Sequence, residues 1–429
     1  QAQCYISVRA FIITMFNLEL IILFFSFAII VFMRTISEIP KPPIFNIYQQ
    51  PTGTFWLKVG FMYAILKLRQ MKNYVREERL RVKGEDKYVH LDRPQKLASH
   101  EQAVDAVFFN GANSKGDHFI IATARRKHGL IDGFIYLKIK DSNLGVLESP
   151  NLPNTDLYQK TEKQAYEVDG IRINVIEPMK RWKISYDGKM KSMEDRTKIS
   201  DVKIEVEWTS DIPCFNVDTD MDPFSMAKAT ALEPWSRDYF QTLQEIHQTH
   251  YEHYGNINGS AVIDGTRYPI DVNVLRDHSI AQKREWRNFH RYGLHFISVE
   301  NGDRITAGVI SSPISFSYLP MGFVYSAKDR KIYPLTSCDL RLHQHGESGD
   351  PPLDYGFTIK AGKPLCDVCR MTCLFFDFLG NNTYMIKVHV TDSPYFYISK
   401  DWEAKIFERL CSFNVNNLNG WGAAEWQYR

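Results

Sequence analysis

Residues 260–272 read SAVIDGTRYPIDV, two runs of alternating apolar and polar residues joined by Asp264 and a glycine. An Asp-Gly pair between such runs is typical of a type I′ turn, because both central residues of that turn have positive φ. The stretch therefore predicts a β-hairpin. Asp-Gly pairs at 169 and 187 and an Asn-Gly pair at 301 predict further hairpins on the same grounds.

The length and composition indicate more than one folded unit. A chain of 429 residues exceeds what a single hydrophobic core serves. Its 44% hydrophobic and 13% aromatic residues exclude extended disorder. Short antiparallel strands with few helices predict sandwiches or barrels. We expect a mainly β protein with two tandem antiparallel β-barrels, residues 98–245 and 246–429.

The N-terminal region has a different composition. Residues 10–33, AFIITMFNLELIILFFSFAIIVFM, contain only two strongly polar side chains, Asn17 and Glu19. As a helix this segment would measure about 36 Å, enough to cross the ~30 Å hydrocarbon layer of a bilayer. We predict a transmembrane helix, with residues 1–53 forming the anchor and its joint. A secretory signal peptide is the alternative, but the following RTISEIPKPP lacks a cleavage pattern.

Residues 54–97 predict a basic amphipathic helical segment. Its apolar side chains recur at helical spacing, and it carries eleven Lys and Arg against five Asp and Glu. Such a helix suits the anionic headgroups of a membrane, so membrane lipid is an expected partner. Packing of its apolar face on the globular part is the equal alternative. Nucleic acid is not expected, because no nucleic-acid motif accompanies the basic residues.

The hairpin at 260–272 continues into RDHSIAQKREW at 276–286, and the chain ends with GWGAAEWQYR at 420–429. These two stretches resemble the lipocalin-like carotenoid hydratase (hydroxyneurosporene synthase) group and its uncharacterised relatives. The resemblance covers most of residues 100–429 and implies two lipocalin-like barrels. Ile280 and Ala281 replace the Trp-Gly of that group, and one extra residue separates Ser279 from Arg284.

The resemblance implies a chemistry for this motif. A hydratase of this type protonates an isolated C=C bond with a carboxylic acid and holds the cation between aromatic faces. Asp277 would be the acid and His278 its partner or the base for water. Trp286, Tyr292 and Trp421 would form the walls of the ligand site.

A structural role for the same motif is the competing interpretation. Arg276, Asp277, Arg284 and Glu285 would pair their charges at a barrel mouth and fix strand register. An aspartate beside two arginines should have a lowered pKa, which is the wrong direction for a general acid. The sequence favours this structural role.

Metal and cofactor sites have weaker support. His247, His250 and His253 could cluster only on a helix, whereas their surroundings indicate strand or loop. The cysteines of CDVCRMTC, at 366, 369 and 373, lack an evident fourth zinc ligand. A structural zinc, one disulfide or simple strand packing stay open for these cysteines. No dinucleotide, P-loop or nucleophile-elbow motif is found, so we predict neither a metal nor a cofactor.

Two signals in the sequence favour opposite sides of the membrane for the globular part. Acceptor patterns for N-glycosylation at Asn258 and Asn381 lie in predicted turns and favour a lumenal globular part. The basic residues that follow the predicted anchor favour a cytoplasmic-facing one. We expect a single-pass membrane protein facing the cytoplasm, with the lumenal orientation left open.

Three functions are compatible with these patterns. The first is a membrane-anchored binding or carrier protein for a long apolar ligand, such as an isoprenoid, a sterol or an acyl lipid. The second is a cofactor-independent hydratase or isomerase acting on an isoprenoid C=C bond, with Asp277 as general acid. The third is a structural or interaction protein of a membrane assembly whose barrels are filled by their own side chains.

Overall fold

The computed structural model describes residues 41–83, 87–161, 163–345, 347–362, 382–398 and 402–429. The predicted membrane-spanning segment, residues 10–33, and the cysteines at 366, 369 and 373 lie outside these residues. None of the helices in the described part of the chain is long and apolar enough to cross a bilayer.

The described residues contain five α-helices, which lie before and between the strands. They are α1 (Phe55–Val82), α2 (Lys87–Leu91), α3 (Val217–Asp220), α4 (Pro223–Leu232) and α5 (Arg237–Glu245). The predicted helical segment 54–97 is therefore helical over most of its length. Asp222 caps α4 by accepting from the Ser225 N–H, and Ser236 caps α5 by accepting from the Tyr239 N–H. Both caps satisfy N–H groups that the first turn of a helix leaves unpaired.

The first barrel is formed by strands from two separate parts of the chain. Its strands and those next to it are β1 (Val104–Ala112), β2 (His118–Arg125), β3 (Leu130–Lys138), β4 (Val146–Glu148), β5 (Asp156–Tyr158), β6 (Tyr166–Val168), β7 (Ile171–Glu177), β8 (Arg181–Ser192), β9 (Ile199–Thr209), β10 (Phe215–Asn216), β11 (Gln248–Ile263) and β12 (Thr266–Ala281). Eight of them close antiparallel in the order β1-β2-β3-β4-β8-β9-β11-β12, and β12 pairs back with β1.

The second barrel uses the remaining strands. These are β13 (Arg291–Val299), β14 (Arg304–Ser312), β15 (Phe316–Ser326), β16 (Lys331–Cys338), β17 (Asp354–Ala361), β18 (Asn382–Asp392), β19 (Tyr395–Ile398), β20 (Ala404–Val415) and β21 (Leu418–Tyr428). Eight of them close antiparallel in the order β13-β14-β15-β16-β17-β18-β20-β21, and β21 pairs with β13. Two closed eight-stranded barrels confirm the predicted mainly β architecture.

The boundary between the barrels differs from the predicted one. The hairpin β11–β12 was expected in a second barrel beginning at residue 246, but β12 pairs with β1 and β11 pairs with β9. This hairpin therefore closes the first barrel, and the boundary lies between Ala281 and Arg291. Pairing across some 170 residues of chain leaves no local trace in the sequence.

The turn predictions are partly right. Asp169 and Asp264 have φ of 44° and 47°, and each is followed by a glycine with φ of 85°, as a type I′ turn requires. The Asp187-Gly pair instead lies inside β8, and Asn301 has no positive φ although Gly302 does. The predicted turn at Asn258 is also wrong, because this exposed residue lies within β11.

Both barrels are filled by their own side chains. The inward-facing residues of the first barrel form a buried cluster that contains Phe109, Trp182 and Trp208. The equivalent cluster of the second barrel contains Phe413 and Trp426. Since these positions are packed, an apolar ligand inside a barrel, as the carrier interpretation assumed, would have to displace core side chains.

A third apolar cluster joins the outer faces of the two barrels. In it Phe134 lies 4.3 Å from Phe396 between ring centroids, and Phe215 stacks on Phe323 at 4.5 Å. The Tyr254 hydroxyl also donates to the Ile305 carbonyl at 2.7 Å. Strand β1 contacts both the barrel core and this interface, which is why all nine of its residues are buried.

Candidate active site between the barrels

Strand β12 divides the predicted motif between two faces. Successive side chains of a strand point to opposite sides. Arg276 and His278 face the interior of the first barrel, opposite Phe109 and Val107 of β1. Asp277, opposite Phe108, faces the second barrel. The motif therefore does not act as one group.

Arg276 belongs to a buried ionic cluster of the first barrel. It forms an ion pair with Asp92, and both side chains are fully buried. Its guanidinium lies between the rings of Trp182 and Trp208, at 4.7 and 4.8 Å from their centroids. Asp92 also accepts from the Trp182 indole at 3.0 Å and from the Tyr251 hydroxyl at 2.8 Å. The predicted pairing of Arg276 with Asp277 is therefore wrong.

His278 is held by the same interior network. Its Nδ1 lies 2.7 Å from the Tyr251 hydroxyl, and its Nε2 lies 2.7 Å from Asp105 Oδ1 and 3.0 Å from the Tyr166 hydroxyl. Asp105 in turn forms an ion pair with Arg125 at 2.7 Å. His278 thus lies on the opposite face of the strand from Asp277, and this geometry gives no support to its predicted role as partner of that acid.

Asp277 lies among other ionisable groups at the interface. Its side chain keeps partial solvent exposure, while burial raises its pKa to about 7. His250 and Arg284 lower that pKa, but the negative charges of Glu252 and Glu425 oppose them. The expected lowering by two arginines does not occur, because Arg276 points away and desolvation outweighs Arg284.

The second barrel contributes a pair of carboxyl groups to this interface. Glu408 of β20 and Glu425 of β21 lie directly opposite each other. Burial and the neighbouring charge of Glu425 raise the pKa of Glu408 well above its usual range. The pKa of Glu425 is also raised, by burial, although hydrogen bonds from Glu408 and Tyr292 oppose the shift. Raised pKa values at two adjacent buried carboxyl groups favour the retention of a proton between them.

Two side chains fix this carboxyl pair. The Tyr292 hydroxyl donates to Glu425 Oε1, and Asn110 of the first barrel donates to Glu408 Oε2 at 3.1 Å. Tyr292 is buried, and its pKa is well above the ordinary tyrosine value because of burial and Glu425. The Asn110 bond ties the pair to the first barrel, so the site depends on both barrels.

His250 and Glu252 complete the first barrel's contribution. His250 Nε2 lies 3.1 Å from Glu252 Oε1, and its Nδ1 lies 2.7 Å from the Ser279 hydroxyl. Burial opposes the charged imidazole, but the bond to Glu252 and the charge of Asp277 raise the pKa of His250. Because Glu252 lies opposite Asp277 in the strand pairing, the imidazole of His250 lies beside both acids.

The other predicted residues occupy different places. Arg284 donates to Gln248 Oε1 at 2.6 and 3.2 Å, and Glu285 pairs with Lys283 at 3.0 Å and with Arg287. None of these partners belongs to the four residues that were predicted to pair their charges with one another. Trp286 packs against the inter-barrel cluster, with the Arg284 guanidinium 5.9 Å from its ring.

Tyr292 and Trp421 were both predicted as ligand walls. Tyr292 lies in the site through its bond to Glu425. The Trp421 indole donates to Asn273 at 3.1 Å. Trp421 lies four positions from Glu425 along β21, and Asn273 lies four positions from Asp277 along β12. At about 3.3 Å per residue this places Trp421 roughly 13 Å along β21 from the carboxyl pair. Trp421 bridges the barrels away from the site.

Apolar side chains surround the acidic groups. Phe108 and Leu410 are buried beside them, and Leu294 and Ile310 are partly exposed. The buried polar atoms here that have no hydrogen-bond partner among the described residues include Asn110 Oδ1, Glu252 Oε2 and the Trp286 indole nitrogen. The acidic groups therefore lie among apolar side chains, with few polar partners beside them.

Sequence reasoning missed the carboxyl pair and misjudged His250. Glu408 is an acidic residue in the apolar run AKIFERLC, and Glu425 lies in the quoted tail. A charged residue at a position that strand alternation makes buried is a usable signal, because such groups seldom lie buried without a function or a partner. The spacing of His247, His250 and His253 was considered only as a metal site. In the structure His250 and His253 contact different partners, and His253 binds the Ile212 carbonyl.

No group of three or more His, Cys, Asp or Glu side chains in the described residues has a geometry suited to a metal ion. Cys214, Cys338 and Cys411 are free thiols. Burial raises the pKa of Cys338 and Cys411 to about 12, which removes their reactivity as thiolates. The inter-barrel site itself presents carboxyl, imidazole and phenol groups, which donate and accept protons.

Comparisons with known proteins give a family and a fold likeness. A family model described as a family of unknown function, DUF8627, matches residues 20–428. No curated protein matches the chain. A Nitrosomonas europaea structure with a provisional AttH assignment is 10% identical, covers 78% of this chain and 97% of its own, and has a TM-score of 0.46.

Two further solved structures show the same degree of likeness. Kievitone hydratase from Nectria haematococca is 11% identical, with 77% of this chain and 90% of that chain covered and a TM-score of 0.43. CghA is 9% identical, with 80% and 96% covered and a TM-score of 0.42. At these identities and TM-scores, no property of these proteins is carried over to this chain.

Proposed function

The chain belongs to DUF8627, a family of unknown function, so the chemistry has to be inferred from the site, and we propose a cofactor-independent acid–base enzyme. Its reaction would add water to, or move, a carbon–carbon double bond of an apolar substrate. The observation that carries the proposal is the convergence of Asp277 with the Glu408–Glu425 pair among apolar side chains, with Asp277 partly exposed to solvent.

Asp277 is the proposed general acid. A carboxyl group that titrates near neutral pH can be protonated in the resting enzyme and still release its proton readily. Partial exposure lets solvent return the proton after each turnover. The pKa of the neighbouring His250 is raised, and its protonated form stabilises the carboxylate that Asp277 becomes after donation, because opposite charges attract strongly in a desolvated site.

The Glu408–Glu425 pair is the proposed base. Two carboxyl groups that share one proton can accept a second when a proton leaves the substrate or an attacking water. Tyr292 and Asn110 hold the pair in place by donating to its oxygens. In an isomerisation Asp277 protonates one carbon and the pair removes a proton from another; in a hydration the pair accepts a proton of the added water.

This proposal retains the hydratase alternative suggested by the resemblance to the carotenoid hydratase group, with the acid kept at Asp277. The apolar side chains of Phe108, Leu294 and Ile310 suit an isoprenoid or a similar hydrocarbon chain. Binding of such a ligand without chemistry is the second candidate, favoured by the partly exposed apolar side chains at the same interface. Membrane localisation of the enzyme is a separate proposal.

The test uses a lipid extract in deuterated water. We expect the wild-type chain to change the mass of an unsaturated lipid, by one deuterium for isomerisation or by one heavy water for hydration. Asp277→Asn should lose this conversion at least about a hundredfold, the lower range for a general acid. Asp271→Asn is the matched control, because Asp271 is an exposed aspartate on the same strand.

The two candidate functions give different results. A lipid that co-purifies with the wild-type chain and stays unlabelled would support the carrier and contradict the enzyme. Conversion that survives in Asp277→Asn at the wild-type rate would remove Asp277 from the mechanism.

A further inference from the structure

Helix α1 carries two apolar faces, and only one of them is covered by the described part of the protein. The covered face packs on α4, where Phe55, Val59 and Met62 are buried against Ala227 and Ala231. Lys58 secures this contact by donating to the Glu233 carbonyl at 2.7 Å. The globular part therefore holds the N-terminal half of α1 in a fixed orientation.

The second face is an apolar stripe exposed to solvent. Its side chains recur every three or four residues and lie along one side of a helix. The stripe consists of Leu57, Phe61, Ala64, Leu68, Met71 and Val75. Leu57, Phe61, Leu68 and Met71 are 52%, 61%, 60% and 65% exposed. It extends over about 27 Å of helix, and a continuous exposed apolar surface of this size marks an interaction site.

The charges beside the stripe decide what it can bind. Alternate steps of three and four residues would also suit a coiled coil with a second copy of this chain. In a parallel pair, however, Lys67 would face Lys72 of the other copy, and Arg79 would lie on the same flank. An antiparallel pair would place basic flanks together as well. Self-association would therefore bring like charges into contact.

An anionic surface matches both properties of the helix. From Phe55 to Lys83 the chain has eight Lys and Arg residues against Glu77 and Glu78. An amphipathic helix with an apolar stripe and basic flanks binds in the headgroup region of anionic bilayers. The apolar segment at residues 10–33 lies about twenty residues upstream, which is consistent with a bilayer close to α1.

We propose that the stripe of α1 lies in the surface of a bilayer containing anionic lipids. The contacts of α1 with α4 then fix the double barrel against the membrane. This inference does not depend on the proposed catalytic site, because none of the site residues belongs to α1.

The experiment places a fluorescent reporter on the stripe of the full-length chain. Genetically encoded dansylalanine at Leu68 reports the polarity around that position. We expect blue-shifted and stronger emission with vesicles of phosphatidylcholine containing about 30 mol% phosphatidylserine, and little change with phosphatidylcholine alone. Salt at about 0.5 M should reverse most of the change.

Two controls make the result specific. The same reporter at Tyr158, a 62% exposed residue of β5, should not respond. The double variant Lys72→Glu and Arg79→Glu should weaken the response at Leu68 by at least about fivefold, since it removes two cationic contacts. Circular dichroism should show an unchanged fold, because both side chains are exposed.

Several outcomes would overturn the inference. Blue-shifted emission before vesicles are added would mean that a second copy or another segment of the chain covers the stripe. Absence of a response to anionic vesicles would leave an acidic protein partner as the occupant. An equal response with neutral vesicles, at Tyr158 or in the charge-reversed variant would show nonspecific adsorption.

Discussion

Glu408 and Glu425 face each other across the β20–β21 ladder at the buried interface of the two barrels. Like charges at directly opposed positions of a sheet destabilise it, and burial adds a further cost. The pair is therefore stable only if it keeps a proton. The two residues therefore share a proton next to Asp277 and can accept a second one.

We predict a protonated carboxyl group in this pair at pH 8. Infrared difference spectroscopy should show its C=O band in the wild-type chain. Glu408→Gln should abolish the band, because a glutamine amide can donate to Glu425 and the pair no longer needs the proton. Asp271→Asn should leave the band unchanged. Persistence of the band in Glu408→Gln would place the proton on another group.

A second prediction concerns Asp277 and pH. Its pKa in the folded chain is about 7, above the ordinary aspartate value of 3.8. The folded state therefore binds more protons than the unfolded state between these values, and the free energy of unfolding falls as the pH rises through this range. Asp277→Asn removes that dependence. At pH 8 it should stabilise the fold by about 2 kcal/mol, allowing for the partial exposure of the carboxyl group.

Urea unfolding at pH 4 and pH 8 measures this effect. We expect the variant and the wild type to differ little at pH 4 and clearly at pH 8. Equal stabilities at both pH values would show that Asp277 is not desolvated by the interface.

The buried pair Asp92 and Arg276 leads to a third prediction. Asp92→Asn leaves the Arg276 charge without a counterion between two tryptophans, which should cost about 3–5 kcal/mol. Adding Arg276→Met should restore part of this loss, because the unpaired charge is removed. Urea unfolding at pH 7 measures both.

An exposed pair provides the control for this measurement. Asp201 binds Lys189 at 3.0 Å with both side chains more than half exposed, so Asp201→Asn should cost less than about 1 kcal/mol. A similar loss for the buried and the exposed pair would contradict the proposed role of Asp92.

The sequence predicts the strands and the class of fold because both depend on local alternation. Hairpins at Asp169 and Asp264 follow from turn chemistry alone. Closure of the first barrel could not be predicted in this way, since β12 pairs with β1 through contacts distant in the chain. For the same reason the predicted boundary at residue 245 fell before the hairpin that completes the first barrel.

The candidate site was only partly predictable. The motif RDHSIAQKREW contains Asp277, and strand alternation alone places this residue on the opposite face from Arg276 and His278. Its pKa, however, depends first on burial between the barrels and then on charges such as Glu252 and Glu425, which come from a neighbouring strand and from the other barrel. Local sequence therefore gave the wrong sign for the shift, because the nearest charges in sequence point away from the carboxyl group.

The last prediction concerns Gly422 in the C-terminal stretch GWGAAEWQYR. Its φ is 151°, and a Cβ at this position would lie 1.9 Å from the Phe296 carbonyl oxygen of the paired strand β13. The Gly422 carbonyl also lies 3.3 Å from His118 Nε2 of the first barrel. Gly422→Ala should therefore push β21 away from β13 and disturb the interface, with a loss of about 3 kcal/mol or more. Gly60→Ala is the control, because a Cβ there meets nothing within 4 Å and a helical alanine should add about 1 kcal/mol. Urea unfolding of both variants should give opposite signs, and a neutral Gly422→Ala would mean that the β13–β21 pairing can yield at this point without cost.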